Sequence, residues 1–155
     1  MELQESQKTA EVHGKDLPVS TKQSIEIASF IRNRSVNKAI SLLSQVLEKK
    51  IAVPFRRFKR DIGHKPGKTG PGRYPQKASE TMISLLKSLV ANGQNKGMDT
   101  NSLIIRTIMA NKASRPFRYG RRRRIQARRT HIDIIAVERN YIEKKNEKKS
   151  EGAGK

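Results

Sequence analysis

Residues 103–137 read LIIRTIMANKASRPFRYGRRRRIQARRTHIDIIAV, and the two ends of this stretch share a pattern that its middle lacks. Residues 103–109 and 130–137 are rich in Ile and Val. Ile132, Ile134 and Ala136 alternate onto one face, the period of a strand half buried in a sheet. Residues 110–129 have no usable apolar period, so the stretch predicts two antiparallel strands joined by a hairpin arm. With about ten residues on each side, such an arm could reach roughly 30 Å at about 3.3 Å per residue. Free in water it would have no core to hold it, so its shape should come from a partner.

Upstream of residue 100 the apolar period is 3.6 rather than 2. Ser20 opens a capping-box pattern with Gln23, and the helix it predicts runs through Ile25, Ile27, Ala28, Phe30 and Ile31 before residues 33–35 interrupt it. Val36, Ala39, Ile40, Leu43, Val46 and Leu47 make a second amphipathic helix ending near Lys50. A third has Pro75 at its first turn, places Ala78, Met82, Leu85, Leu86, Leu89 and Val90 on one face, and is expected to stop at Gly93 as a glycine C-cap. Residues 1–15 read as a flexible amino terminus with room for a short strand around Val12, and the Lys- and Glu-rich residues 142–155 as a disordered tail. The expected fold is α+β: a small antiparallel sheet packed with about three helices, plus a long extended β-hairpin arm, as a single domain over residues 16–141.

Charge decides the class of partner. The 155 residues carry 34 Lys and Arg against 14 Asp and Glu, a net charge of +20. Such an excess opposes compaction by self-repulsion and points to a polyanion. It is also concentrated. Residues 54–77 hold eight basic residues (Arg56, Arg57, Lys59, Arg60, Lys65, Lys68, Arg73, Lys77) and one acid, Asp61. Residues 110–130 hold nine (Lys112, Arg115, Arg118, Arg121, Arg122, Arg123, Arg124, Arg128, Arg129) and no acid. Both runs are internal, both carry aromatics (Phe55, Phe58, Tyr74, Phe117, Tyr119), and arginine dominates the second. The guanidinium fork donates bidentately to phosphate and stacks on bases, while aromatic faces stack unpaired bases. These basic residues, with His64, Tyr74, Tyr119 and His131, are the candidate nucleic-acid contacts.

Other chemistries find little support. Gly63-His64-Lys65-Pro66-Gly67-Lys68-Thr69 has three residues between its glycines where a P-loop needs four, no buried strand before it, and a proline where a backbone donor is required. His131 and Asp133 share a strand face without a nucleophile, and a structural histidine is the better expectation. The chain has no cysteine, and its three histidines are widely spaced, so neither a thiolate nor a metal site is expected. No cofactor is expected. No apolar run approaches the length of a membrane span, and Met1-Glu2-Leu3-Gln4-Glu5 lacks the features of a signal peptide, so an intracellular protein without membrane insertion is expected.

The same residues carry a family resemblance. Pro116-Phe117-Arg118-Tyr119-Gly120-Arg121, then Arg124-Ile125, then Arg129-Thr130-His131-Ile132 resemble the hairpin and final strand of the universal ribosomal L-twenty-two family, called L-seventeen in eukaryotes. The sequence departs from the bacterial form at Ala127 and Arg129, where that form has a basic residue and a threonine. Ala52-Val53-Pro54-Phe55-Arg56-Arg57-Phe58, His64, Gly72-Arg73-Tyr74-Pro75 and Ala91-Asn92 resemble the insertion and third helix of the archaeal and eukaryotic branch, and the length resembles the archaeal members. The likeness covers about residues 16–141.

The resemblance implies a cytoplasmic structural protein of the large ribosomal subunit. It would bind large-subunit ribosomal RNA during assembly, contact neighbouring ribosomal proteins, and line the nascent-peptide tunnel with a hairpin tip made by Arg115, Pro116, Phe117, Arg118, Tyr119, Gly120 and Arg121, beside the nascent polypeptide. The alternative on composition is a chromatin-type or other DNA-binding protein, with a nucleic-acid hydrolase third. The charge lies on loops rather than on the second helix of a helix-turn-helix, and no carboxylate cluster is present to hold Mg²⁺.

Overall fold

The change of period near residue 100 is realised as a change of layer, from helices to the sheet they cover. In the computed structural model, which describes residues 9–67 and 69–138, the chain runs β1 (Thr9–Leu17), α1 (Thr21–Ile31), α2 (Val36–Leu47), β2 (Val53–Pro54), β3 (His64–Lys65), β4 (Gly70–Arg73), α3 (Gln76–Asn95), β5 (Leu103–Lys112) and β6 (Thr130–Glu138). Lys68 and the tail expected over residues 142–155 lie outside the described residues.

The main sheet is antiparallel in the order β1-β6-β5. β6 is its centre. That position explains why β6 is almost wholly Ile, Val and Ala on its inner face: Ile132, Ile134 and Ala136 are fully buried beneath the helices. α1 covers the β5 side, α3 covers the β1 side, and α2 packs on α3. Ile27, Ile31, Val36, Leu43, Met82, Leu86, Leu89, Leu103, Ile105 and Ile108 complete one contiguous core.

The amino terminus differs from expectation. Residues 9–15 belong to a nine-residue strand paired with β6 from Thr9↔Val137 to Leu17↔Thr130. Its buried inward positions are the small Ala10 and Gly14, with only Val12, partly buried, between them on that face, so its apolar signal is weak. The space is taken by α3 instead: a Cβ on Gly14 would stand 3.1 Å from both methyls of Leu85 and 2.7 Å from Leu17 Cδ1.

Both open edges of the sheet are blocked. On β5, Asn33 N–H donates to the Ile105 carbonyl and Ile105 N–H to that of Arg34, each at 3.0 Å, and the Arg32 guanidinium donates to the Ile108 carbonyl at 3.1 Å. On β1, the Asn92 amide and the Lys96 ammonium donate to the Glu11 and Thr9 carbonyls at 2.9 and 2.8 Å.

Two helix ends also differ. Ser20 is the N-cap of α1, but its hydroxyl makes no capping bond. α3 runs past Gly93, which is buried inside the helix where an added Cβ would meet Leu103 Cδ1 at 3.0 Å. The chain leaves the helix instead at Gly97, whose φ of +66° takes the left-handed turn.

Residues 53–73, whose sequence has no usable apolar period, contain a second small sheet in the order β2-β4-β3. Residues 113–129 form the connection between β5 and β6, so the hairpin arm is present, with the first residues of the expected arm, 110–112, paired as strand.

Candidate nucleic-acid interface

The insertion is mounted on α1 by a residue whose role the sequence hides. Glu26 is only 2% exposed. One of its carboxylate oxygens accepts the N–H groups of Arg57 at 2.9 Å and Phe58 at 2.7 Å, and the other accepts that of Arg56 at 3.1 Å. Three consecutive backbone donors converging on a buried carboxylate make charge-assisted bonds of the strong kind. The turn at 56–58 is thereby fixed, and the side chains of Arg56 and Arg57 are turned outward, where they are exposed. Phe55 plugs the core beside this turn at 4% exposure. Phe58 packs against the core and carries Lys22 and Arg57 over its ring, at 5.6 and 5.5 Å from the centroid. Lys65 lies over the half-buried Tyr74 ring at 5.4 Å. Of the aromatics in the insertion, Phe55 and Phe58 thus belong to the core, while the half-buried Tyr74 carries a cation over its ring.

The arm is mounted on the same helix. Thr130, fully buried at the start of β6, donates its hydroxyl proton to the Val19 carbonyl at 3.1 Å. Its oxygen lies 2.8 Å from Thr21 Oγ1, so Thr21 must donate this second bond. Beyond the sheet the two sides of the arm stay in register through a sparse ladder: Ala113 N–H to the Arg129 carbonyl, Ala127 N–H to that of Pro116, and Arg118 N–H to that of Ile125. A single 3₁₀ turn, Gly120–Arg122, closes the tip, with Gly120 at φ +66°. Ala113 is buried, whereas Tyr119, Phe117 and Ile125 are 97%, 61% and 55% exposed.

The two segments, far apart in sequence, line one cleft of about 550 Å³. Arg57, Arg60 and Arg73 come from the insertion, Arg115 and Arg128 from the arm, and Lys22 from α1 between them. A neighbouring cleft of about 620 Å³ sets Arg118, Arg122, Arg128 and Arg129 against Gln23 of α1 and Lys77 of α3. Elsewhere in the two segments Lys59, His64, Lys112, Arg121, Arg123 and Arg124 are exposed, while Arg129 is half-buried. Among the described residues of these segments, only Arg60 has a carboxylate within 4 Å, its neighbour Asp61 at 3.7 Å. Away from this surface, the hydrogen bond that the Lys50 ammonium donates to the Glu48 carboxylate pushes the Lys50 pKa up from its ordinary value.

The histidines divide by location. His131 is half-buried, and its Nδ1 accepts the Asp16 N–H at 3.1 Å, which commits that nitrogen to the β1 bulge and leaves Nε2 alone for any contact. Asp133 pairs across the sheet with His13 at 2.8 Å rather than with His131. Lys22, Glu26, Thr21 and Thr130 were not legible as site residues. The available hint for Glu26 was an acid inside the apolar run Ile25-Glu26-Ile27-Ala28, and for Lys22 there was none.

Comparison with known proteins adds a separate line of observation. A family model described as Ribosomal protein L22p/L17e matches residues 12–137. The chain is similar to a protein of Nanoarchaeum equitans called large ribosomal subunit protein uL22, at 41% identity over 138 residues, 83% of this chain and 78% of the relative. A protein of the same name in Methanococcus aeolicus is 38% identical over 138 residues, 84% of this chain and 90% of its own. Another in Cenarchaeum symbiosum is 41% identical over 127 residues, 77% and 83% of the two chains.

Proposed function

The chain belongs to the ribosomal protein L22p/L17e family, and from that premise we propose that it is a structural constituent of the large ribosomal subunit in the cytoplasm that binds large-subunit ribosomal RNA. The observation that carries this reading is the convergence of two cationic segments, among whose described residues only Arg60 has a carboxylate partner, on adjoining clefts. Gathering so many like charges costs the free protein energy, and an array of phosphates offsets that cost while releasing counterions. The DNA-binding alternative gains nothing from the relatives, whose names place them in the ribosome. The role is one of holding RNA, with no catalytic residue or cofactor assigned.

In the finer reading, residues 115–121 at the hairpin tip line the exit tunnel beside the nascent polypeptide, the globular part meets neighbouring ribosomal proteins, and the chain supports subunit assembly. The exposed Phe117 and Tyr119 support this, because they are the aromatics of the basic segments left free to stack on an outside partner. Sedimentation of a cell lysate tests the assignment: the protein is expected in the large-subunit peak, and its absence from that peak would overturn the reading. With purified chain and large-subunit RNA transcribed from the Methanococcus aeolicus gene, log K is expected to fall steeply with log salt, about −3.5 in slope if about five single-strand phosphates are neutralised. A flat line would contradict it.

A further inference from the structure

We propose that the cleft between the insertion and the base of the arm seats one continuous stretch of ribosomal RNA sugar–phosphate backbone, gripped from both sides at once, so that a single strand fixes the arm against the insertion. This rests on the RNA-binding reading above and deepens it, by stating where one strand lies and what it couples.

Four observations carry it. First, the cations are distributed on both walls: Arg57, Arg60 and Arg73 on one, Arg115 and Arg128 on the other, with Lys22 between. Second, both walls stand on the first turns of α1, the insertion through Glu26 and the arm through the Thr21–Thr130 bond, so the spacing of the charges is set by one rigid element. Third, the volume of about 550 Å³ is that of a small-ligand site, suited to a nucleotide or two of one strand and too small for a duplex. Fourth, stacking of Lys22 and Arg57 on the Phe58 ring holds two of the cations at the rim in place of the entropy-rich disorder usual for surface side chains. Like charges so gathered repel, and a strand passing between the walls relieves the repulsion on both sides together. Contacts to the two walls must then be thermodynamically coupled.

The test is a double-mutant cycle on the full-length chain, read as filter-binding affinity for the same large-subunit RNA transcript at fixed salt. One pair is Arg57→Gln with Arg73→Gln; the other is Arg115→Gln with Arg128→Gln. These four side chains are exposed, so melts followed by circular dichroism should match the parent. The loss in the quadruple variant is expected to fall short of the product of the two separate losses by about fivefold or more. A tip pair, Arg121→Gln with Arg123→Gln, lies outside the cleft, and its loss is expected to multiply simply with either wall. Wall losses that multiply to within about twofold would overturn the shared strand while leaving RNA binding intact. Equal coupling to the tip would overturn it as well, since that would report only the summed charge. If the parent retained no RNA, the RNA-binding reading would fall first and the shared strand with it.

Discussion

The insertion over residues 54–74 and the arm over residues 113–129 look alike in the sequence, each about twenty residues long, strongly basic and without an apolar period, yet they are built in opposite ways. The insertion is anchored: Val53 and Phe55 are buried, Phe58 and Ile62 pack against the core, and three of its N–H groups end on a buried carboxylate. Beyond Ala113 the arm has no such anchor, and between there and Thr130 three long-range backbone bonds, with Phe117, Tyr119 and Ile125 in solvent, are what shape it. Charge therefore announces a surface without saying how it is mounted. What separates the two is a few apolar side chains and one acid on a neighbouring helix.

The largest difference should appear when the anchor is cut. Glu26→Ala strands three donors of which each would cost about 1–3 kcal/mol if wholly buried, and with water reaching some of them a total loss of about 3 kcal/mol is expected, read as a lowered midpoint in urea. Glu26→Gln keeps one acceptor oxygen and is expected to fall between parent and alanine variant. If both variants unfolded with the parent, the insertion would be held by its apolar residues alone.

The smallest effect belongs to the arm. Deleting residues 115–124 and closing with a short turn removes no core residue, so the midpoint should move by less than about 1 kcal/mol. The shortened chain is expected to enter large subunits through its remaining surface, with newly reactive RNA near the tunnel constriction when the subunits are footprinted chemically. A collapse of stability would mean that the arm props the fold, and footprint changes confined to the outer surface would place the tip elsewhere.

Legibility in the sequence followed the size of the apolar signal. β5, β6 and the three helices were readable because their inner faces are Ile, Leu and Val at a clear period, as in Val36, Ala39, Leu43 and Val46 of α2. β1 was under-read because its inward Ala10 and Gly14 are small where Leu85 supplies the bulk. Gly93 was misread for a related reason: a glycine near the end of an apolar period suggests a cap, and nothing local reveals that Leu103, ten residues on, needs the room. The basic surface was legible as composition, since the runs are contiguous in sequence. Their meeting on α1 was not, because Glu26 and the Thr21–Thr130 bond act across 30 residues and more.

The central claim is that one basic segment is folded in advance and the other is fixed by RNA on a shared mount. Amide hydrogen exchange on the full chain, free and bound to the large-subunit RNA transcript, reads both halves at once. The N–H groups of Arg57 and Phe58 are expected to be protected already in the free protein, while those of Arg118 and Ala127 exchange within seconds and become protected only when RNA is added. Equal protection of both segments in the free chain, or an arm that still exchanges freely in the complex, would contradict the account.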